Sequence, residues 1–155
     1  MNKGVQWKRL NSARFSLLLS GMTTPATTPK SVLVVEDEQS IRDILTELFD
    51  VEGNVVTAAE LLPDALEQLR TQRFDLIVTD LRLGGKRDGG LQVMALAGML
   101  SPDATVLVLT AYPDDSNRQA SFRLGALHFI EKPVDLSTIA QLAVNAGVRS
   151  AFTPA

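Results

Sequence analysis

No cysteine occurs in the chain, so disulfides, thiolate metal sites and cysteine nucleophiles are excluded. The single histidine, His128, leaves no cluster for zinc and argues against a conventional Ser-His-Asp triad. No apolar stretch approaches the roughly 20 residues of a membrane-spanning helix, so no membrane association is expected. Positive charge is not in excess either: 15 Lys and Arg stand against 18 Asp and Glu, for a net charge of −3. That gives no broad basic field for direct DNA binding. What remains suits one soluble domain. The 155 residues, 45% hydrophobic and 21% charged, are enough to bury a core and too few for two comfortable domains.

The charge is unevenly spread. Residues 1–30 carry Lys3, Lys8, Arg9, Arg14 and Lys30 and no acid, which leaves ten basic against eighteen acidic residues in the remainder, or −8. Phe15-Ser16-Leu17-Leu18-Leu19 is a brief apolar patch, and the tract Thr23–Pro29 is poor in core formers. Residues 1–30 therefore read as a flexible basic extension. A signal peptide shares the basic-then-apolar order. Here the apolar run is short and broken by Ser16, Ser20 and Gly21, and no small-x-small cleavage site follows. Met22 is an alternative start.

From Ser31 onward, short apolar runs end in polar residues. Phe74–Thr79 runs into Asp80, and Val32–Val35 runs into Glu36-Asp37-Glu38. Ala104–Leu109 runs into Thr110, and Leu127–Ile130 runs into Glu131-Lys132-Pro133. A run apolar on both faces reads as a parallel strand covered by helices above and below. A lone Asp after a strand most often caps the next element, a lone Thr there is ordinary, and a lone Lys is a solvated charge. Four strand ends with acidic, hydroxyl and ammonium groups on one sheet edge read instead as a built site.

Helical stretches separate the runs. Ile41, Ile44, Leu45, Leu48 and Phe49 share one face, with Gly53 placed to end that helix. Val55–Ala58 is a second strand. Pro63 suits the first turn of a helix that turns Ala65, Leu66 and Leu69 inward. A glycine-rich loop holds Gly84, Gly85, Gly89 and Gly90, and Leu91–Leu100 is the third helix. Pro113-Asp114-Asp115 opens a fourth that stops near Gly125. Asp135 caps a fifth running to about Arg149. Five βα units imply a parallel sheet with right-handed crossovers. Two doubly wound orders come into play, the dinucleotide-binding one and the flavodoxin-like 2-1-3-4-5. Acids, not G-x-G-x-x-G, follow the first strand, and they would repel a pyrophosphate or a flavin phosphate.

In the 2-1-3-4-5 order, strands 1 and 3 are neighbours, so Glu36, Asp37 and Asp80 converge. Clustered carboxylates repel one another, and a hard divalent cation relieves the repulsion. With few protein ligands, Mg²⁺ fits best. Lys132 adds a point charge and Thr110 a hydroxyl donor. Such a pocket stabilises a phosphoryl group under in-line attack by Asp80, which yields an acyl phosphate.

The stretches Val34–Glu38, Val78–Leu83, Leu109–Tyr112, Leu124–Ala126 and Glu131–Pro133 resemble the receiver domain of two-component response regulators. The resemblance spans residues 31–150, leaving 151–155 as a tail. It implies the flavodoxin-like (βα)5 fold with strand order 2-1-3-4-5 and a cytoplasmic signalling protein. By it, Asp80 is the phosphoacceptor for a histidine kinase or phosphotransfer protein. Asp37, Asp80 and the backbone carbonyl of Arg82 hold Mg²⁺, and Glu36 acts through metal-bound water. Lys132 pairs with the phosphoryl group, Thr110 moves toward it, and Phe129 follows inward. The positions of Arg82 and Tyr112 tune dephosphorylation; Arg82 is expected over the phosphoryl group or on a neighbouring acid. The Lys132–Pro133 bond is expected to be cis. The face of the fourth helix, fifth strand and fifth helix serves a downstream protein partner or a homodimer. Such a protein catalyses only its own phosphorylation and dephosphorylation. With the chain stopping after the last helix, a stand-alone receiver is the expectation.

Two features depart from the family pattern. Gly84-Gly85 stands where a proline is usual, and the Gly84–Gly90 loop is about two residues longer, so it is expected to be more mobile. His128 reads as structural or exposed, and Arg42, Arg70, Arg73 and Arg123 as solvated charges. Two other functions remain open. One is a constitutive interaction module of the same fold. The other is a haloacid-dehalogenase-like phosphatase, which would need a second Asp where Arg82 stands.

Overall fold

The computed structural model describes residues 27–153. The expectations for residues 1–26, including Met22 as a start and the signal-peptide alternative, lie outside the described residues. The elements alternate strictly: β1 (Lys30–Val35), α1 (Gln39–Phe49), β2 (Asn54–Ala59), α2 (Leu62–Thr71), β3 (Leu76–Asp80), α3 (Gly89–Leu100), β4 (Thr105–Thr110), α4 (Asp115–Arg123), β5 (His128–Glu131) and α5 (Leu136–Asn145). The strands form one sheet in the order β2-β1-β3-β4-β5, parallel throughout. This is the flavodoxin-like order. It places the carboxyl ends of β1 and β3 side by side, with Val35 paired to Thr79.

Side chains of a strand alternate between faces, and β1 splits its core residues accordingly. Leu33 and Val35 join the apolar cluster that includes Ala65 and Leu69 of α2 and Val93 and Met94 of α3. Val32 and Val34 join Leu45, Leu48 and Phe49 of α1 and Ile139, Ala140 and Ala143 of α5 on the other face. Val32, Leu33, Val34 and Val35 are all buried, each contributing about 1.5–3 kcal/mol relative to exposure. Burial on both faces explains why these strands read as continuous apolar runs rather than alternating ones.

Several boundaries shift from the sequence reading, each for a local reason. β3 starts at Leu76 and includes Asp80; Phe74 is buried outside it, its N–H donated to the Ser101 hydroxyl at 3.1 Å. α1 stops at Phe49, and Gly53, at φ +93°, serves the turn into β2 instead. α3 begins at Gly89, two residues before Leu91. α5 ends at Asn145, not near Arg149, because Gly147 adopts φ +79°. The Gly147 and Val148 N–H groups then bond the carbonyls of Val144 and Ala143 at 2.9 and 2.8 Å, a Schellman closure with Val148 fully buried. Gly125 closes α4 the same way. Asp114 and Asp135 cap α4 and α5 as expected, accepting from Asn117 and Ser137 N–H, and Pro63 lies in the first turn of α2.

Candidate functional site

The site lies at the carboxyl edge of the sheet, where β1 and β3 end beside one another. Glu36 follows β1 and is fully buried. Its Oε1 accepts the Glu38 N–H at 3.1 Å, and its Oε2 accepts from Lys132 Nζ at 2.8 Å. Asp37 is half-buried, and its Oδ2 accepts the Gly84 N–H at 3.1 Å. Asp80 ends β3. Its Oδ2 accepts from Lys132 Nζ at 2.9 Å, and its Oδ1 lies 3.3 Å from the donating Arg82 N–H. One ammonium thus bridges two carboxylates from different strands. Lys132 reaches them because its own N–H bonds the Thr110 carbonyl at 2.7 Å. The following bond, Lys132–Pro133, is cis.

Thr110 ends β4 and is buried. Its Oγ1 accepts the Tyr112 N–H at 3.0 Å, which orients the hydroxyl and leaves its hydrogen to be donated elsewhere. Phe129, in β5, is half-buried and packs against the α2–α3 side of the core. The Arg118 guanidinium of α4 lies over its ring at 4.9 Å and also pairs with Glu131 at 3.6 Å. The Arg82 guanidinium pairs with no acid among the described residues and stacks instead on the Tyr112 ring at 3.9 Å. The cationic group and the aromatic face attract each other, so the loops after β3 and β4 are joined across the site. His128 is half-buried within β5.

The acids carry more negative charge than one ammonium balances. Burial pushes the Glu36 carboxyl up from 4.5 to about 7; the Lys132 hydrogen bond holds it down and the Asp80 charge pushes it further up. For Lys132, burial lowers the pKa, but hydrogen bonds to Glu36 and Asp80 outweigh it, and the net shift is upward from 10.5. Glu36, Asp37 and Asp80 each offer a carboxylate oxygen, all within 4.8 Å of one another. Hard oxygen donors at this spacing, with charge left uncompensated, fit a divalent cation such as Mg²⁺ or Ca²⁺.

Three supporting residues were missed or misread in the sequence. Arg42 is not solvated: only 15% of its side chain is exposed, and its Nη1 donates to the Glu36 and Asp37 carbonyls at 2.9 and 3.3 Å. A second contact, to Glu60 at 3.8 Å, ties β2 to the same loop. Its place one turn into the helix that follows the acids was the available signal. Gly90 is the second residue. A Cβ there would stand 2.3 Å from the Asp80 carbonyl oxygen and 2.7 Å from Leu81 Cα, so only glycine lets α3 come this close to the Asp80 loop. Arg118 is the third; nothing in its spacing pointed to Phe129. Arg70, Arg73 and Arg123 are exposed.

The loop after Asp80 is shaped rather than open. Leu83 and Lys86 form an antiparallel bridge, and Gly84 and Gly85 turn the chain at φ +57° and +79°. Two positive φ values in succession suit a two-residue hairpin of the mirror-image type, which Gly-Gly accommodates.

The chain is similar in sequence and fold to proteins of known class. Residues 32–144 match the family described as the response regulator receiver domain. The chain is 30% identical over 110 residues to sporulation initiation phosphotransferase F of Bacillus subtilis (strain 168), covering 71% of this chain and 87% of that protein. It spans only 43% and 24% of two transcriptional regulatory proteins, YvrH of Bacillus subtilis (strain 168) and ZraR of Escherichia coli (strain K12). Among solved structures, a response regulator from Burkholderia pseudomallei with a phosphorylated aspartic acid, a calcium ion and citrate superposes with a TM-score of 0.66. It is 31% identical, over 76% of this chain and 69% of that one. The beryllofluoride-activated NtrC4 receiver domain dimer gives a TM-score of 0.66 at 28% identity, over 75% and 94% of the two chains. The chain belongs to the response regulator receiver family of two-component systems, a family of signalling switches. No helix among the described residues is long and apolar enough to cross a membrane.

Proposed function

We propose that this receiver is a phosphorylation-controlled switch whose phosphoacceptor is Asp80, working in the cytoplasm with a sensor histidine kinase or phosphotransfer protein as donor. The observation that carries the reading is the Lys132 ammonium held between Asp80 and Glu36 at 2.9 and 2.8 Å. A carboxylate nucleophile beside a cation, in an acidic cluster fit for a second cation, is what transfer to an acid requires. One Asp80 oxygen attacks the phosphorus of a phosphohistidine protonated on its other ring nitrogen. The N–P bond breaks with its electron pair going to the ring, an O–P bond forms, and the ring leaves as neutral imidazole. Bound Mg²⁺ supplies charge neutralisation for the transferring oxygens. Asp37, Asp80 and the Arg82 carbonyl would hold it, with Glu36 acting through its water. Lys132 then moves from the Asp80 carboxylate to the phosphoryl oxygens, and the Thr110 hydroxyl, already oriented by the Tyr112 amide, donates its hydrogen to them. Phe129 follows Thr110 inward and leaves Arg118.

The consequence is a change in the α4–β5–α5 face, which we assign to a downstream protein partner or a second copy of the chain. Phe122 of α4 and Leu124 and Leu127 of the α4–β5 connection are exposed, and the NtrC4 relative is an activated receiver dimer. Residues 31–150 constitute the switch. The test is incubation with acetyl phosphate and Mg²⁺ followed by intact mass and peptide mapping. One phosphoryl group on Asp80 of the wild type is expected. An unmodified chain, or modification elsewhere, would refute the reading and leave a constitutive interaction module of the same fold.

A further inference from the structure

A proline in place of Gly84 would have no N–H to give. Gly84 has one, and the hairpin aims it. Leu83 and Lys86 exchange both backbone hydrogen bonds, Leu83 N–H to Lys86 carbonyl at 3.1 Å and the reverse at 3.0 Å. The turn between them directs the Gly84 N–H at Asp37 Oδ2, 3.1 Å away and 47 residues earlier in the chain. Asp37 belongs to the acidic cluster, and this bond leaves its other oxygen for a cation. Carboxylates that bind a cation are commonly fixed by hydrogen bonds from neighbouring groups, and those groups tune the affinity.

We propose that the Gly84 N–H is a positioning group for the cation site, holding the Asp37 carboxylate in place so that cation binding and closure of the Leu83–Lys86 hairpin favour each other. The inference rests on the cation reading given above. The coupling is reciprocal: the factor by which the hairpin tightens cation binding is the factor by which the cation tightens the hairpin. That factor is expected to be about tenfold, the lower end for such outer partners, because this hydrogen bond is open to water. The loop after the phosphoacceptor would thus report cation occupancy before any phosphoryl group arrives.

The test compares Mg²⁺ affinity by calorimetry in the full chain, the Gly84→Pro variant and the Gly84→Ala variant, with amide exchange of Gly84 and Lys86 in the wild type. Proline removes the N–H and, with φ locked at about −65°, cannot hold the +57° turn either, so it opens the bond and the hairpin together. Alanine keeps the N–H while straining the same φ of +57° and meeting only Leu61 Cδ2 at 3.1 Å, a half-exposed side chain that can yield. Gly84→Pro is expected to bind Mg²⁺ about tenfold more weakly and Gly84→Ala within about twofold of wild type, and saturating Mg²⁺ should slow both amides by about the same tenfold. An alanine variant that loses as much as the proline variant would assign the effect to turn strain and overturn the proposal. So would a proline variant with wild-type affinity, or Gly84 exchange that Mg²⁺ leaves unchanged. A wild type that binds no Mg²⁺ would overturn the cation reading as well, whereas equal affinities in all three proteins overturn this inference alone.

Discussion

Replacing Lys132 by alanine removes the ammonium that Glu36 and Asp80 share at 2.8 and 2.9 Å. Three carboxylates then remain within 4.8 Å of one another, one of them with no exposure to water. The upward pKa shift of Lys132 means that its charged form is favoured by folding. That contribution is fully present below the unfolded pKa of about 10.5 and is lost only as pH rises through the higher folded value. At neutral pH the ammonium is therefore stabilising, and its loss leaves an uncompensated buried acid. Breaking such a pair costs about 3–5 kcal/mol. The lower end applies, because 13% of the Lys132 side chain is exposed and Asp37 meets solvent. About 3 kcal/mol in a domain of this size lowers Tm by roughly 10 °C.

The pH dependence has a definite sign. Glu36, raised to about 7, keeps a proton in the folded protein that the unfolded chain has already lost, so its contribution to stability falls as pH rises from 4.5 toward 7. Without the Lys132 hydrogen bond its pKa rises further. Protonation then hides part of the damage in acid, and the deficit of Lys132→Ala should be larger at about pH 8 than at about pH 6. A divalent cation replaces the missing charge. Mg²⁺ should raise the Tm of the variant more than that of the wild type, which already holds an ammonium in the cluster. At ten times its Kd the cation adds about 1.4 kcal/mol. The assay is a thermal melt of both proteins at the two pH values, with and without Mg²⁺. A variant that melts within about 1 °C of wild type throughout, or one that Mg²⁺ helps no more than wild type, would refute the reasoning.

Asp80→Asn is expected to fold and to carry no phosphoryl group after acetyl phosphate treatment, since the amide is isosteric and a poor nucleophile; intact mass decides it. Gly90→Ala should destabilise by about 3 kcal/mol, the upper end for overpacking, because the added Cβ lands 2.3 Å from the Asp80 carbonyl oxygen; urea unfolding measures this, and a wild-type midpoint would contradict the close approach. Beryllofluoride should change amide exchange most on α4, β5 and α5; changes confined to the Gly84–Gly90 loop would count against that face. The stacked Arg82 and Tyr112 side chains are expected to hinder in-line water, giving a slowly decaying phospho-form. Phosphate release should therefore quicken in Tyr112→Glu and Arg82→Asn, and unchanged or slower decay in both would remove the shielding role.

The elements that were legible in the sequence are those governed by periodic burial and by residues with one conformational use. Val32–Val35 and Leu107–Leu109 are buried on both faces and read as central strands without ambiguity. Asp114 and Asp135 announced their helices because a short acidic side chain at that position has a backbone N–H to accept from. The convergence of Glu36, Asp37, Asp80 and Lys132 was legible because a parallel sheet places all strand ends on one edge and the family resemblance implied the order that makes β1 and β3 neighbours. What was not legible depends on where long side chains travel. Arg42 reads in the sequence as a solvated helix-face charge. Only the fold shows its guanidinium turned back under the acidic loop. The end of α5 falls short of Arg149 because Gly147, two residues beyond the last helical residue, is placed for a Schellman closure.

The contacts around Asp80 form a set of ties between successive loops rather than a single pocket wall. The loop after β1 is held to the loop after β3 through Asp37 and Gly84. The loop after β3 is held to the loop after β4 through Arg82 and Tyr112, and β5 is held to α4 through Phe129, Glu131 and Arg118. Lys132 touches the first two strands of this series directly. A new charge on Asp80 would withdraw Lys132 from Asp80, draw the Thr110 hydroxyl, and reach Tyr112 through the amide that Thr110 holds. The two outer ties are weak: a cation over a ring is worth about 0.5–1 kcal/mol at an exposed site, and an exposed ion pair less than about 1 kcal/mol. They are therefore the contacts a local charge change can reverse, whereas the ladder beneath them, from Val32 paired with Leu76 to Asp80 paired with Leu109, is buried and stays. A rigid β1–β3–β4 edge bearing ties of this strength would direct the response to these loops and to the α4–β5–α5 face beyond them.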